Sequence, residues 1–228
     1  MALSDEEIKK QAVDGLYWDT RVDAAKVSVQ VENGRVILTG TVPGYNVRMR
    51  AAEDAWNVDG VVWVENRILV RPPPAVPIAS DEDIKESVVR ALAEDLETAD
   101  IRVLVNDATV VLEGSVDEYW KKSEAEWIAC RARGVCDIEN KLAVAPTMSI
   151  MDRAIADDVR AANERNRNVN IGDVDITVTD GVVTLSGSVP NRAALRAAVN
   201  AAEFTRGVVD VVDELAIEAP GERVEAVC

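Results

Sequence analysis

The chain has 228 residues, 48% of them hydrophobic but only 4% aromatic, and a net charge of −16. That length fits two ordinary domains or three small ones, with a core drawn from Val, Ala, Leu and Ile. The acid excess, with no cluster of Lys and Arg, argues against nucleic acid as a partner. No apolar run approaches the ~20 residues of a spanning helix, so no integral membrane segment is expected. The N-terminus, MALSDEEIKK, lacks the basic start and apolar stretch of a secretory signal. The sequence as written is therefore expected in the cytoplasm, or in the periplasm if a leader has been removed. Cys130, Cys136 and Cys228 are an odd and sparse set, expected to be reduced thiols and not a disulfide framework.

The first predicted element is a helix. Ser4 with Glu7 is a capping-box signature, and Ile8, Ala12 and Leu16 follow at helical spacing. Strict alternation at Val27, Val29 and Val31 predicts a half-buried strand. Asn33-Gly34 then supplies the positive φ angles of a two-residue hairpin turn. A second strand carries Val36 and Leu38 inward and leads to Gly40, where it is expected to meet a second helix. Ala51 and Ala55 let that helix lie close on a sheet, and Gly60-Val61 reads as its C-terminal stop. A last strand carries Val64, Asn66, Ile68 and Val70. Arg71 to Pro77, RPPPAVP, is a stiff spacer.

The same run then returns twice. Aligning Gly40, Gly114 and Gly187 gives spacings of 74 and 73 residues. Ser80 with Asp83 repeats the capping box, and Ser149 with Asp152 is a looser third version. Asp107-Ala108 and Asp180-Gly181 repeat the turn, Gly134 and Gly207 the helix stop, and Asn140 and Asp213 the polar residue of the last strand. A period of this length is too long for the common solenoids, and each unit can close a small core of its own. The expected organisation is a domain at 1–71, a linker at 72–78, domains at 79–145 and 149–219, and a tail at 220–228. Charge is uneven: −2 through Arg71 (9 basic, 11 acidic), −8 from Pro72 to Met148 (8 and 16), and −6 from Ser149 onward (8 and 14).

The central glycine, the Gly-Val after the second helix and the following Val-x-Asn-x-Ile/Leu-x-Val resemble the BON domain, named for bacterial osmotically inducible and nodulation proteins. Three copies in register cover nearly the whole chain. The resemblance implies an α+β fold of three tandem αββαβ domains, each with two helices on one face of a three-stranded mixed sheet. It also implies a non-catalytic protein without cofactor. Phospholipid- or membrane-surface binding with an osmotic or envelope stress role is the first expectation. The alternative is a protein-interaction adaptor combining several weak contacts.

Searching for chemistry leaves that expectation in place. A nucleophile elbow needs a histidine, and the chain has none. A P-loop needs lysine before the Ser or Thr, where Gly40, Gly114 and Gly187 stand instead. These glycines read as structural, letting the backbone turn tightly. Cys130 and Cys136 have no partners for a tetrahedral zinc set, and no metal is expected. Asn66, Asn140 and Asp213 lie in register with core residues and read as structural hydrogen-bonding groups.

Features shared by all units specify the fold; features unique to one unit are candidates for function. Trp18, Trp56 and Trp63 occur only in unit one, and Trp120 and Trp127, seven residues apart, only in unit two. They read either as packing between units or as outward contacts. If Val36 and Leu38 face the helices, then Ile37, Trp63 and Leu69 face away. These three are expected to form an apolar patch on the open sheet face of unit one, a binding surface for lipid or partner.

Overall fold

The structure is a computed structural model, and it describes residues 3–72, 79–96, 100–148, 150–165 and 174–217. Unit one comprises α1 (Asp5–Trp18), β1 (Val27–Glu32), β2 (Arg35–Val42), α2 (Tyr45–Trp56) and β3 (Trp63–Val70). Unit two repeats this as α3 (Asp81–Asp95), β4 (Ile101–Asn106), β5 (Thr109–Val116), α4 (Tyr119–Cys130) and β6 (Asp137–Val144). Unit three runs α5 (Asp152–Glu164), β7 (Val174–Thr179), β8 (Val182–Val189), α6 (Arg192–Glu203) and β9 (Asp210–Ile217). The second strand of each unit is central, antiparallel to the first and parallel to the last. A parallel neighbour requires a crossover, and the second helix of each unit provides it. This is the expected mixed sheet.

Alternation decides which side is covered. Val29, Val36, Leu38, Val64 and Ile68 meet Ile8, Ala12 and Leu16 of α1 and Ala51 and Ala55 of α2 in one aliphatic cluster. Units two and three build their own clusters from the matching positions. The capping boxes at Ser4–Glu7 and Ser80–Asp83 are both closed. Ser149, expected to cap the third helix, lies outside the described residues. The N-cap position there is Met151, which makes no side-chain cap bond.

The acidic first residue of each first helix does more than meet the helix dipole. Asp5 accepts the backbone N–H groups of Asn33 and Gly34 at 2.8 and 2.9 Å. Asp81 takes those of Asp107 and Ala108 at 3.0 and 2.9 Å, and Asp152 takes those of Asp180 and Gly181, both at 2.9 Å. All six turn residues have positive φ, as a two-residue hairpin turn of this kind demands. One carboxylate thus clamps each turn onto its helix.

Two readings of glycine need correction. Gly40 lies inside β2, not at a strand-to-helix junction: the buried alternation continues past it to Val42. It sits at φ +133°, and a Cβ there would come within 2.0 Å of the Lys26 carbonyl oxygen. Gly114 stands in the same relation to the Asp100 carbonyl, at 1.9 Å, and Gly187 has φ +113°. Close approach of the first strand, not a turn into the helix, fixes glycine here. Nor are Gly60, Gly134 and Gly207 helix caps. The helices end at Trp56, Cys130 and Glu203, and each glycine closes a further turn at positive φ before the last strand.

Candidate binding surfaces

Outward parity in unit one is as the alternation requires: Trp63 is 56% exposed and Leu69 55%. They do not form one apolar patch with Ile37. Trp63 and Leu69 stand opposite Arg35 and Thr41 of β2, at the two ends of the ladder, while Ile37 stands opposite Glu65. Six residues along a strand span roughly 20 Å. Between them runs a polar ladder in which Glu65 receives Arg35 at 2.6 Å and Arg67 at 2.5 Å. These two arginines hold the Glu65 carboxyl below its ordinary range. Trp63 instead meets the ring of Trp56 edge-on, with centroids 6.1 Å apart.

A second exposed aromatic pair lies at the end of α1. Tyr17 is 70% exposed and Trp18 78%, and their rings meet edge-on at 5.5 Å. Both follow Leu16, the last core position of the helix, so they point away from the sheet. Val13, one turn earlier, is also exposed. Pairing the helices through Ile8, Ile84 and Ile155 aligns Tyr17-Trp18 with Ala93-Glu94 and Glu164-Arg165. The outward pair belongs to unit one alone. Its sequence signal is two consecutive aromatics off the Ile8–Ala12–Leu16 stripe.

The remaining aromatics face neighbouring units. Tyr45, first residue of α2, packs against the core cluster of unit two, and its N–H donates to the Val135 carbonyl at 3.3 Å. Arg50 lies 4.9 Å over the ring of Trp127. Tyr119, first residue of α4, packs in turn against the cluster of unit three, and burial pushes its hydroxyl up to about 12. Trp120 stacks on Phe204 at 6.3 Å, and Ser123 donates to Glu203 at 3.4 Å. Arg192, first residue of α6, reaches back to unit one and lies 4.3 Å over Trp56, while Arg196 pairs with Glu53 at 3.4 Å. The three second helices thus close a ring, each unit seated on the next. Trp120 and Trp127, seven residues apart on α4, serve two different seams and not one outward surface.

The recurring polar residue of the last strand ties strand to helix in two units. Asn66 donates to the Arg48 carbonyl at 2.9 Å and accepts the Ile68 N–H at 3.1 Å. Asn140 does the same with Lys122 and Leu142, at 2.8 and 3.2 Å. Asp213 is exposed and accepts the Leu215 N–H at 3.0 Å, but a carboxylate has no donor for the helix carbonyl. Cys130 is buried with its thiol against the Trp127 carbonyl at 3.0 Å, and burial raises it to about 11. A thiol so held is a poor nucleophile and a poor ligand. Among the described residues no group of three or more His, Cys, Asp or Glu is placed to hold a metal ion. No helix among them is long and apolar enough to cross a membrane.

Comparison with known proteins gives consistent matches. The BON domain model matches residues 4–72, 80–146 and 151–219. Osmotically-inducible protein Y of Escherichia coli is 29% identical over 143 residues, 59% of this chain and 71% of that protein. The outer membrane lipoprotein DolP of Haemophilus influenzae is 28% identical over 137 residues, 58% of this chain and 70% of that one. Among solved structures, CdsD, a structural protein of the type III secretion system of Chlamydia trachomatis, aligns over 92% of this chain and 91% of its own. Its identity is 13% and the TM-score 0.27.

Proposed function

The chain belongs to the BON domain family, in three copies, and on that premise we propose a non-catalytic protein that binds a phospholipid surface in the cell envelope under osmotic stress. Relatives named as osmotically inducible and as an outer membrane lipoprotein support the setting. The observation that carries the binding role is the outward Tyr17–Trp18 pair. Tyr and Trp have an apolar body and a polar tip, which suits the boundary between water and lipid. Unit one also has the smallest net charge, −2, and is repelled least by anionic headgroups. Lys9 and Lys10 are exposed on the same helix.

Burying one large apolar side chain is worth about 1.5–3 kcal/mol. Two rings therefore contribute about 3–6 kcal/mol, enough for reversible contact and far short of permanent anchoring. Flotation of the full chain with vesicles of phosphatidylcholine and of phosphatidylglycerol, across salt concentrations, tests this. The parent chain is expected to float, and the double variant Tyr17→Ser/Trp18→Ser to stay behind with an unchanged melt. A parent chain that floats with neither lipid at any salt sinks the lipid reading and leaves the adaptor.

A further inference from the structure

The three seams of the ring are equivalent by the internal repeat, and one is built differently. In the first two, a tyrosine (Tyr45, Tyr119) leads the second helix and packs into the next unit's core cluster. In the third, Arg192 holds that position and stacks on Trp56. Beside it a cleft of about 370 Å³ opens between units one and three. Trp56, Asn57 and Val58 line one wall, and Pro190, Asn191, Arg192 and Ile217 the other.

The state of Arg192 is unusual for this chain. It is half-buried, its Nε is buried without a hydrogen-bond partner, and among the described residues no carboxylate lies within ion-pair distance of it. Yet acidic residues outnumber basic ones 41 to 25, and Arg196, one turn further on, has found Glu53. Asp213 acts on Arg192 only at longer range. Asp59 also lines the cleft but is exposed, where solvent and salt screen it. The Trp56 ring meets the face of the guanidinium but accepts none of its in-plane N–H groups; leaving such a donor unpaired is costly, and a planar fork of donors matches an oxyanion.

We infer that this cleft binds a small amphipathic oxyanion, a phosphate or carboxylate head attached to a ring or short alkyl group. The head meets the guanidinium of Arg192, and the apolar part lies along Val58, Pro190 and Ile217. Clefts between domains that combine apolar side chains with a few polar groups are common ligand sites. The inference stands apart from lipid binding by unit one, since the cleft lies at the third seam and uses neither Tyr17 nor Trp18.

Phenyl phosphate and inorganic phosphate, titrated separately into the full chain, test it by NMR. The Trp56 indole N–H and the Ala193 amide are expected to shift together and saturate with phenyl phosphate. Inorganic phosphate should bind at least tenfold more weakly. Arg192→Tyr, which installs the residue of the sister seams, should weaken phenyl phosphate at least tenfold with an unchanged melt. Arg192→Met gives the same loss if tyrosine disturbs the seam, and Arg192→Lys retains part of the affinity. Shifts that never saturate, an affinity unchanged in Arg192→Tyr and Arg192→Met, or inorganic phosphate binding as tightly as phenyl phosphate would each overturn the assignment.

Discussion

Units one and two have the same strands in the same register, with Val36, Leu38 and Ile68 answered by Val110, Leu112 and Leu142. Their surfaces part company. Where unit one presents Tyr17, Trp18 and Trp63, unit two has Ala93, Glu94 and Asp137. One core position differs as well: where unit two buries Ile128 on its second helix, unit one places Asp54. Apart from Asp54, positions facing the sheet–helix interior are held by packing and repeat; positions off that face are free to diverge, and in unit one they carry the exposed aromatics.

The largest expected effect is one both units should share. Gly40→Val and Gly114→Val each place a Cβ about 2 Å from a backbone carbonyl oxygen at a φ only glycine tolerates. Each should destabilise its unit by about 3 kcal/mol or more, read as a lowered midpoint in urea unfolding. A melt like the parent's in either variant would break the equivalence of the two frameworks.

The turn clamp should also be equivalent, at smaller size. Asp5→Ala and Asp81→Ala each leave two turn N–H groups without their acceptor, at about 1–2 kcal/mol. Hydrogen exchange at Gly34 and Ala108 should rise in the matching variant and not in the other unit. Equal exchange in parent and variant would show that the clamp contributes nothing.

Asp54 should separate the units. Burial, with the Asp19 charge nearby, raises its carboxyl from 3.8 to about 6, and its Oδ2 has no hydrogen-bond partner. The folded chain holds this proton more tightly than the unfolded chain. The favourable contribution is therefore complete below about pH 4 and lost as pH rises through about 6. Asp54→Asn should stabilise unit one at pH 7 by on the order of 1 kcal/mol, allowing for solvent screening, with the gain fading toward pH 4. A gain independent of pH would place the effect elsewhere.

Much of this was legible in the sequence because the pattern is local. Alternation at Val27–Val31, the Asn33-Gly34 turn and the Ile8–Ala12–Leu16 stripe each declare an element from neighbouring residues alone. The Gly40 position was misread although its signal was present: Val42 continues the alternation of Val36 and Leu38, so the strand runs on through the glycine. The Asp5 clamp was not legible, since its partners lie 28 and 29 residues away and helix spacing says nothing of them. The seams were illegible for the same reason on a larger scale. Trp120 and Trp127 share a helical face by count, but the placement of whole units sends one to Phe204 and the other to Arg50. The proposed patch of Ile37, Trp63 and Leu69 had the right parity. It failed on distance along the strand and on the Arg35–Glu65–Arg67 ladder between its ends.

That the outward aromatics of unit one meet lipid is tested most directly by quenching tryptophan fluorescence with vesicles of brominated phosphatidylglycerol. Trp56, Trp120 and Trp127 are engaged in seams, Trp63 lies on the open sheet face against Trp56, and Trp18 stands outermost on α1, so the parent chain should be quenched and Trp18→Phe should lose most of that quenching. Quenching that persists unchanged in Trp18→Phe would put the lipid contact on another face and contradict the account.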